Sequence, residues 1–322
     1  MMGTLSQRNH AITALTNERG FGALIMVIWI VVMLMAIAGE FSYSMKTEIN
    51  IMTNFKEEEE AYRLALAGME KAKMELLLMK EPAYVYLGEN SSLILGEPDE
   101  EDQLVIERKG ELETGTFSYT LADEEGKINI NTATQQQIRA ILLESGVEVE
   151  EVDTITDSIM DWRDGNDLHM VNGAEEDYYQ SLDPPYSSKD GSFYAIEELL
   201  LVKGMTPEIL YGLKGEEDGE IIYTGLIDLF TVVGSGRTNI NTAQETVLEI
   251  LFGTDNALNI ATQREAGPIT RPIANGQVTS SYFTVLSTGT NRDGSISRTV
   301  KAVMQLQNKT LEIHYWNDNY TG

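Results

Sequence analysis

The stretch RGFGALIMVIWIVVMLMAIAG at residues 19–39 decides the architecture of this chain. No charge interrupts it from Phe21 to Gly39, a run of about 19 residues, which is close to the roughly 20 that an α-helix needs to cross a membrane. A helix of this length in a soluble core normally carries a polar stripe, and none is visible here. The sequence therefore predicts a membrane-spanning helix.

The residues before this helix predict its orientation. Arg8 and Arg19 give the N-terminal side a small positive excess, which places the N-terminus in the cytoplasm by the positive-inside rule. A secretory signal is the first alternative, but its cleavage site follows a short apolar segment. Here the Gly20-Phe21 junction precedes the apolar run. This order favours an anchor that is kept.

Composition limits the classes of partner. The 322 residues, 42% of them hydrophobic, allow one or two globular domains besides the anchor. The formal net charge of −28, from 51 acidic and 23 basic residues, disfavours binding to nucleic acid or anionic lipid, because phosphate attraction needs clustered Lys and Arg. The absence of cysteine excludes disulfides and thiolate chemistry and leaves the redox compartment open.

Periodicity extends the anchor into a longer helix. Beyond Glu40 the pattern becomes amphipathic and stays helical until Pro82. Glu59 and Arg63 are spaced for an i,i+4 ion pair. The predicted apolar face holds Tyr62, Leu66, Met69 and Leu76.

Strand patterns lie on both sides of a helical segment. Phe117, Tyr119 and Leu121 alternate with polar residues and predict a half-buried strand. Near the C-terminus, residues 300–306 and 311–315 predict an antiparallel hairpin that turns at Asn308 and Lys309, with a further strand at 282–286. The helical segment is therefore an insertion into a β-sheet.

An internal repeat organises this insertion. The sequence ININTA at residues 128–133 recurs as TNINTA at 238–243, and an apolar-periodic helix follows each copy, at 138–143 and 247–252. The expected N-caps of these helices are Asn131 or Thr132 in the first copy and Asn241 or Thr242 in the second. Further helices are predicted at 155–162 and 196–202, the latter followed by a turn and another helix.

Together these features resemble the K-type minor pseudopilin of bacterial type II secretion systems, general secretion pathway protein K. The resemblance covers nearly the whole chain. Its motifs are RGF at 19–21, both repeats, DWRDG at 161–165, NGAEEDYY at 172–179, PPY at 184–186 and EELLLVKGM at 197–205.

The resemblance implies an α+β fold. A pilin-like long N-terminal helix is expected to pack on an antiparallel sheet, with a large inserted α-helical domain of SAM or helix-hairpin-helix type. The expected segments are a leader at 1–20, a transmembrane and amphipathic helix at 21–81, the first part of the β domain at 82–130, the inserted helical domain at 131–275 and C-terminal strands at 276–322.

The resemblance also implies a function without enzymatic activity. Prepilin peptidase is expected to cut between Gly20 and Phe21, with methylation, and to leave a single-pass protein of the bacterial inner membrane whose globular part is periplasmic. Most pseudopilins carry a glutamate five residues into the mature chain, whereas this chain has Ile25. An apolar residue there implies a place at the tip of the pseudopilus, although Ile25 could simply lengthen the anchor. The expected partners are minor pseudopilins of the I, J and H types, the inner-membrane secretion platform and secreted substrates.

An acidic cluster is the candidate metal site. Carboxylates that converge from a helix end and a loop suit Ca²⁺, which takes six to eight oxygen ligands, although the spacing is not that of an EF-hand. The alternative is an incidental solvated cluster, and the resemblance favours calcium. The candidate ligands are Asp161, Asp164, Asp167, Glu175, Glu176 and Asp177.

Two other functions have weaker support. The hairpin at residues 202–204 also resembles the helix-hairpin-helix of membrane-anchored competence DNA receptors, which bind phosphates through amides and nearby Lys or Arg. Acidic residues surround Lys203, so we expect no nucleic-acid binding. A hydrolase lacks support, because His10, His169 and His314 have no nucleophile elbow or zinc spacing beside them.

Overall fold

The computed structural model describes residues 18–79, 84–88, 92–96, 106–215 and 221–321. Most of the predicted leader, with Arg8 and His10, lies outside these residues, and so does Pro82, the predicted end of the long helix. The chain divides into two units, at residues 1–57 and 58–322.

The helices are α1 (Glu18–Leu78), α2 (Gln135–Glu144), α3 (Val149–Arg163), α4 (Glu176–Gln180), α5 (Pro207–Tyr211), α6 (Glu245–Phe252) and α7 (Thr254–Ala266), with short 3-10 helices at Glu124–Gly126, Ile196–Leu201 and Leu226–Asp228. The strands are β1 (Val85–Leu87), β2 (Leu93–Leu95), β3 (Lys109–Leu112), β4 (Gly115–Asp123), β5 (Ile128–Asn129), β6 (Leu213–Lys214), β7 (Ile221–Tyr223), β8 (Phe230–Thr231), β9 (Thr238–Asn239), β10 (Gly276–Gln277), β11 (Tyr282–Asn291), β12 (Ser297–Gln307) and β13 (Thr310–Asn317).

The first unit contains the apolar half of α1. Its side chains from Phe21 to Lys56 are exposed, including those of Trp29 and Phe41. Within the described residues, α1 is the one helix that is long and apolar enough to cross a membrane. This half of α1 is a candidate membrane anchor.

The second unit is built on a five-stranded antiparallel sheet in the order β13, β12, β11, β4, β3. The predicted strands are present, and β11 continues beyond the predicted Leu286 to Asn291. The predicted turn joins β12 to β13 at Asn308 and Lys309, whose φ values of 51° and 56° suit a two-residue hairpin.

The second half of α1 packs on one face of this sheet. Met69 and Leu76 are fully buried as predicted, while Tyr62 and Leu66 are half-buried. The same hydrophobic cluster contains strand residues such as Val285. The packing is α+β and pilin-like, as the family resemblance implies.

A polar network also fastens α1 to the sheet. Glu75 is 9% exposed and accepts a 2.7 Å bond from the guanidinium of Arg108 and another of 2.7 Å from the Tyr119 hydroxyl. Arg108 also donates to the Leu93 carbonyl. By contrast, the predicted Glu59–Arg63 pair forms at 2.9 Å in solvent, where such pairs contribute little.

The inserted helical segment has a separate hydrophobic core, which runs from Ile128 to Val278. It contains two similar units. One comprises β5, α2 and α3, and the other comprises β9, α6 and α7. In each unit the short strand pairs in parallel with a later one, β5 with β8 and β9 with β10. The sequence repeat is therefore a structural repeat.

The second asparagine of each repeat bonds to both backbone groups of one distant residue. Asn131 donates to the Phe193 carbonyl at 3.0 Å and accepts from the Phe193 amide at 2.8 Å. Asn241 makes the same pair of bonds with Ile269, both at 2.8 Å. A side-chain amide can do this because it carries both a donor and an acceptor.

These bonds explain why the predicted N-caps are wrong. The side chains of Asn131 and Asn241 are engaged elsewhere, so α2 begins two residues beyond Ala133. Thr134 caps α2 by accepting from the Gln137 amide, and the Gln137 side chain accepts from the Thr134 amide at 2.8 Å. Helix α6 follows Gln244, which makes no side-chain capping bond. Thr132 and Thr242 are likewise not caps.

An arginine at the end of the second helix completes each repeat. Arg163 donates to the carbonyl oxygens of Ile130 and Ala133. Arg264 donates to the corresponding carbonyls of the second copy. Burial lowers the pKa of both guanidinium groups, that of Arg264 to about 10. Each arginine thus ties the end of its helix to the repeated motif.

Asp123 marks the junction between sheet and insertion. The chain leaves the sheet at this residue, and β11 returns directly beside it, with Phe283 paired to Asp123. One carboxylate oxygen of Asp123 accepts from Asn239 at 2.9 Å and from the hydroxyls of Thr242 and Ser280 at 2.6 Å each. Burial nevertheless raises the pKa of Asp123 to about 6.

One ion pair and one hydrogen-bonded carboxylate hold the insertion against the sheet. Lys301 on β12 lies 2.9 Å from Glu197 of the insertion. Lys127 lies 2.7 Å from Glu124, which also accepts from the hydroxyls of Thr231 and Thr284. Burial acts to raise the pKa of Glu124, but these partners outweigh it and the pKa is lowered. The sheet therefore carries α1 on one face and contacts the insertion with the other.

A close approach between α1 and the sheet gives a test of this packing. A Cβ at Gly289 would overlap backbone atoms of Ala61 and Ala65 on α1. We expect Gly289→Ala to destabilise the protein by about 3 kcal/mol, the order of an overpacked core. Thermal unfolding of the full chain in neutral detergent measures this. Gly191→Ala is the control, since the nearest atom to its Cβ would be 3.7 Å away, and equal effects of the two changes would contradict the packing.

Candidate functional site

The two repeats differ most in the length of one segment. This segment joins the arginine of each repeat to the residue whose backbone the asparagine of the same repeat binds. In the second copy, only residues 265–268 separate Arg264 from Ile269. In the first copy, the long segment 164–192 separates Arg163 from Phe193 and contains most of the predicted metal ligands. We call residues 164–175 the acidic loop. The candidate site is thus an addition to the first repeat.

Asp161, in the last turn of α3, holds the acidic loop in place. Its side chain is fully buried, and both of its carboxylate oxygens lie 3.1 Å from the Met170 amide, which donates to them. A Cβ at Gly173 would overlap this carboxylate, so the glycine lets the loop approach closely. Burial raises the pKa of Asp161, although the Met170 and Ala174 amides oppose the shift.

Asp157, which the sequence analysis did not select, fixes the other side of the loop. Its carboxylate accepts from the backbone amide and the side chain of Asn172, at 3.1 and 3.0 Å, and from Gln135 at 2.8 Å. It lies one helical turn before Asp161, so i,i+4 spacing was a signal that could have indicated it.

Glu175 is the most unusual member of the cluster. The residue is 2% exposed, and neither of its carboxylate oxygens has a hydrogen-bond partner among the described residues. Burial and then the carboxylates of Asp161, Asp164 and Asp190 raise its pKa to about 7, and His169 opposes them. A buried carboxylate without a donor is costly unless a cation compensates it.

The remaining predicted ligands have other environments. Asp164 accepts from the amide and side chain of Asn166. Glu176 accepts from Gln180 and Ser187 through one oxygen and from Ser188 through the other, and these bonds lower its pKa. Asp177 lies 2.9 Å from His169 at the surface, and Asp167 is exposed.

Asp161, Asp164 and Asp190 thus lie close enough to Glu175 to raise its pKa, and Asp164 also acts to raise the pKa of Asp161. The sequence analysis missed Asp190. Within the described residues, no three His, Asp or Glu side chains are arranged as a finished metal site. The buried and unpaired oxygens of Glu175 are nevertheless hard donors of the kind that Ca²⁺ takes. Calcium binding at this cluster and the assignment of each ligand both stay predictions.

Aromatic packing supports the acidic loop. Trp162 and Tyr179 meet edge to face with ring centroids 5.0 Å apart, and Tyr186 lies 5.4 Å from Tyr179. Tyr178 lies 5.2 Å from Tyr179 on the outer side. Trp162 and Tyr179 are buried packing residues.

The hairpin that resembles a DNA-binding module contacts this same loop. Residues 196–201 form a 3-10 helix, not the predicted α-helix, and α5 follows the turn. The Lys203 ammonium donates to the carbonyl oxygens of Asn172 and Gly173, at 3.3 and 3.0 Å. Lys203 therefore stabilises the acidic loop, and its charge is directed towards backbone carbonyls.

The fold and the inserted site define a pilin-like protein with an extra helical domain. A chain of the crystal structure of the GspK-GspI-GspJ complex from the enterotoxigenic Escherichia coli Type 2 Secretion System has this fold, with a TM-score of 0.57. The likeness covers 84% of the present chain and 99% of that chain at 18% identity, which shows the fold alone.

Sequence comparison shows which family part of this chain resembles. Residues 119–215, which include the acidic loop, match the family Type II secretion system (T2SS), protein K. The chain is 30% identical over 113 residues to a candidate protein K of Escherichia coli strain K12, covering 31% of this chain and 35% of that protein. It is 25% identical over 205 residues to the type II secretion system protein K of Aeromonas hydrophila, covering 60% and 61%. These matches span only part of the curated relatives, and they confirm the resemblance to the K-type pseudopilin.

The pKa of Glu175 gives a test of the site. In the protein without bound cation, folding favours protonated Glu175, so its contribution to stability is present below its ordinary pKa of 4.5 and is lost as the pH rises through about 7. The displacement corresponds to about 3 kcal/mol. We expect Glu175→Gln to remove this loss and to stabilise the EDTA-treated full chain at about pH 8, as measured by thermal unfolding.

Glu176→Gln is the matched control for this test. The pKa of Glu176 is lowered by its hydrogen bonds, so its contribution is lost as the pH falls. The control should leave the alkaline loss in place. A wild-type unfolding temperature that is constant from about pH 5 to about pH 8 would contradict the role of Glu175.

Proposed function

We propose that this chain is a minor pseudopilin that acts at the tip of the type II secretion pseudopilus, where it helps to start assembly and the export of folded periplasmic proteins. The observation that carries the proposal is the match of residues 119–215 to the protein K family within a pilin-like fold. Ile25 supports the tip position, because it places no carboxylate in the membrane that would need a neighbour's terminal amine.

The proposal places the anchor in the bacterial inner membrane and the second unit in the periplasm. The partners are then the I- and J-type pseudopilins, by analogy with the complex of the structural relative, and also the H-type pseudopilin, the prepilin peptidase and the inner-membrane platform. The scaffold acts by binding and positioning these subunits. The net charge of −28 supports the expectation that nucleic acid is not a partner.

Copurification tests the assembly. We expect the full chain, extracted from membranes in neutral detergent, to copurify with pseudopilins of the I and J types from the same cells. Leu258→Ser, which replaces an exposed leucine on α7, is the control and should keep copurification with both pseudopilins. Absence of both pseudopilins from the wild-type preparation would overturn the proposed function.

Processing at Gly20-Phe21 gives a second test. The junction lies on the N-terminal side of the candidate anchor, so cleavage there leaves the whole anchor in the mature protein. Intact-mass measurement should give a chain that begins at Phe21, and Gly20→Leu should keep the leader, because the peptidase requires a small residue. A terminus beyond Gly39 would instead indicate a secretory signal.

Calcium is the proposed ligand of the acidic loop. Asp161, Asp164 and Glu175, with Asp190 nearby, would hold the ion, while Asp167, Glu176 and Asp177 stay predicted ligands. When bound, the cation supplies positive charge that offsets the repulsion among these carboxylates. The protein supplies a loop that is already fixed by Asp157, Asp161 and Lys203.

Thermal unfolding tests calcium binding. A ligand that binds only the folded state stabilises it, by about 2.7 kcal/mol at a concentration one hundredfold above Kd. We expect Ca²⁺ to raise the unfolding temperature of the full chain more than Mg²⁺, whose octahedral geometry and hydration are stricter. Asp161→Ala, Asp164→Ala and Glu175→Gln should abolish the shift, and Asp255→Asn in the second repeat should keep it. An unfolding temperature that neither Ca²⁺ nor EDTA changes would indicate that the acidic residues form only a solvated surface cluster.

A further inference from the structure

The hairpin at residues 202–204, which resembles a phosphate-binding module, packs closely on α3. Gly204 has a φ of 85°, a conformation that favours glycine, and a Cβ there would lie 2.9 Å from Cγ1 of Ile155 on α3. Val202, on the other side of Lys203, is buried in the core of the insertion. Because α3 also holds the acidic loop, the hairpin and the loop share one support.

Lys203, at the centre of this hairpin, contacts the chain on both sides of Glu175. Before Glu175, the Lys203 ammonium donates to the carbonyl oxygens of Asn172 and Gly173. After Glu175, the Lys203 backbone amide donates to the Tyr179 hydroxyl at 3.3 Å. Lys203 therefore limits the movement of the segment that carries Glu175.

The ring of Tyr178 gives the Lys203 ammonium a further contact. The ammonium lies 5.1 Å from the ring centroid, within the roughly 6 Å over which a cation is attracted to an aromatic face. Carbonyl oxygens and an aromatic ring thus stabilise the positive charge, while both carboxylate oxygens of Glu175 are without a partner among the described residues. Lys203 positions the Glu175 carboxylate and leaves its oxygens open to an external cation.

The two supports of the acidic loop bind different backbone groups. On α3, Asp161 and Asp157 accept from the amides of Met170 and Asn172, whereas Lys203 donates to carbonyl oxygens. A loop held through both kinds of group has little freedom left to lose when it binds a ligand, which favours affinity. The arrangement is that of a site whose shape is set before the cation arrives.

We infer that Lys203 is a positioning residue of the calcium site, and that the hairpin serves the acidic loop and not a phosphate backbone. This inference rests on the proposed function. A phosphate-binding lysine presents its ammonium to the ligand, whereas the Lys203 ammonium is engaged by carbonyls of its own chain. Groups that orient the ligands of a metal typically change its affinity by about 10- to 100-fold when they are removed.

Charge alone predicts the opposite effect. An ammonium near the acidic loop repels a divalent cation, so its removal should tighten calcium binding if repulsion is the larger contribution. Loss of positioning should instead weaken calcium binding. The direction in which the calcium affinity of Lys203→Met changes therefore separates the two roles.

The test measures the calcium affinity of the full chain in neutral detergent by competition with a chromophoric chelator. We expect Lys203→Met to weaken calcium binding about ten-fold. Lys203→Arg should restore most of the affinity, because a guanidinium also donates to carbonyl oxygens. Lys214→Met is the matched control, since it removes the same charge from an exposed position on β6 and should leave the affinity unchanged.

A second measurement follows amide hydrogen exchange in EDTA. Lys203→Met should speed exchange of the Met170 and Asn172 amides, while the amides of β12 should keep their wild-type protection if the variant folds. Unchanged or tighter calcium binding by Lys203→Met would overturn the inference, and so would unchanged exchange in the loop. A wild-type chain that binds no calcium would refute the calcium site itself and the inference with it, an outcome distinct from calcium binding that the variant leaves intact.

Discussion

The buried carboxylate of Asp123 joins the hydrophobic core of the sheet to that of the insertion, and the rest of the structure depends on this junction. It lies where the chain leaves the sheet, and its partners come from the second repeat and from the segment that returns to the sheet. One residue thus fastens the start of the insertion to its end. Because β4 and β11 are adjacent and antiparallel, a long insertion can leave and re-enter the sheet without disturbing its register. The pilin-like sheet therefore accommodates a domain with its own core.

Three buried carboxylates show how the surroundings decide what such a group does. Asp123 has three side-chain donors, and Glu124 has Lys127 and two hydroxyls, so both are compensated within the chain. Glu175 has no such donor in the described structure, and its neighbours are carboxylates. Asp123 and Glu124 join elements of the fold, whereas the carboxylate oxygens of Glu175 are left without a donor from within the described residues. This contrast, more than the number of acidic residues in the loop, distinguishes a candidate site from a solvated cluster.

The sequence predicted the features that depend on periodicity and local motifs. The long helix, the C-terminal strands and the internal repeat all follow from patterns within a few residues of one another, and the repeat marked the insertion correctly. The sequence did not predict the roles of Arg163, Arg264 or Asp190, because their partners are set by tertiary contacts. The N-caps failed for the same reason, since Asn131 and Asn241 favour caps locally but bind distant backbone groups. The sequence also predicted the acidic residues of the candidate site. It did not predict which of them is buried and unpaired.

The duplicated unit explains how a long loop can be added without loss of the fold. In each copy, asparagine and arginine side chains satisfy the backbone groups that a longer sheet would otherwise satisfy, so the unit closes through local bonds. The segment between the arginine and the residue that the asparagine binds can then vary in length. In the second copy it is short, and in the first it carries the acidic loop, whose amides are held by Asp157 and Asp161 on α3. Because α3 holds the loop through these amides, the exposed residues of the loop can change while Glu175 and its neighbours keep their arrangement.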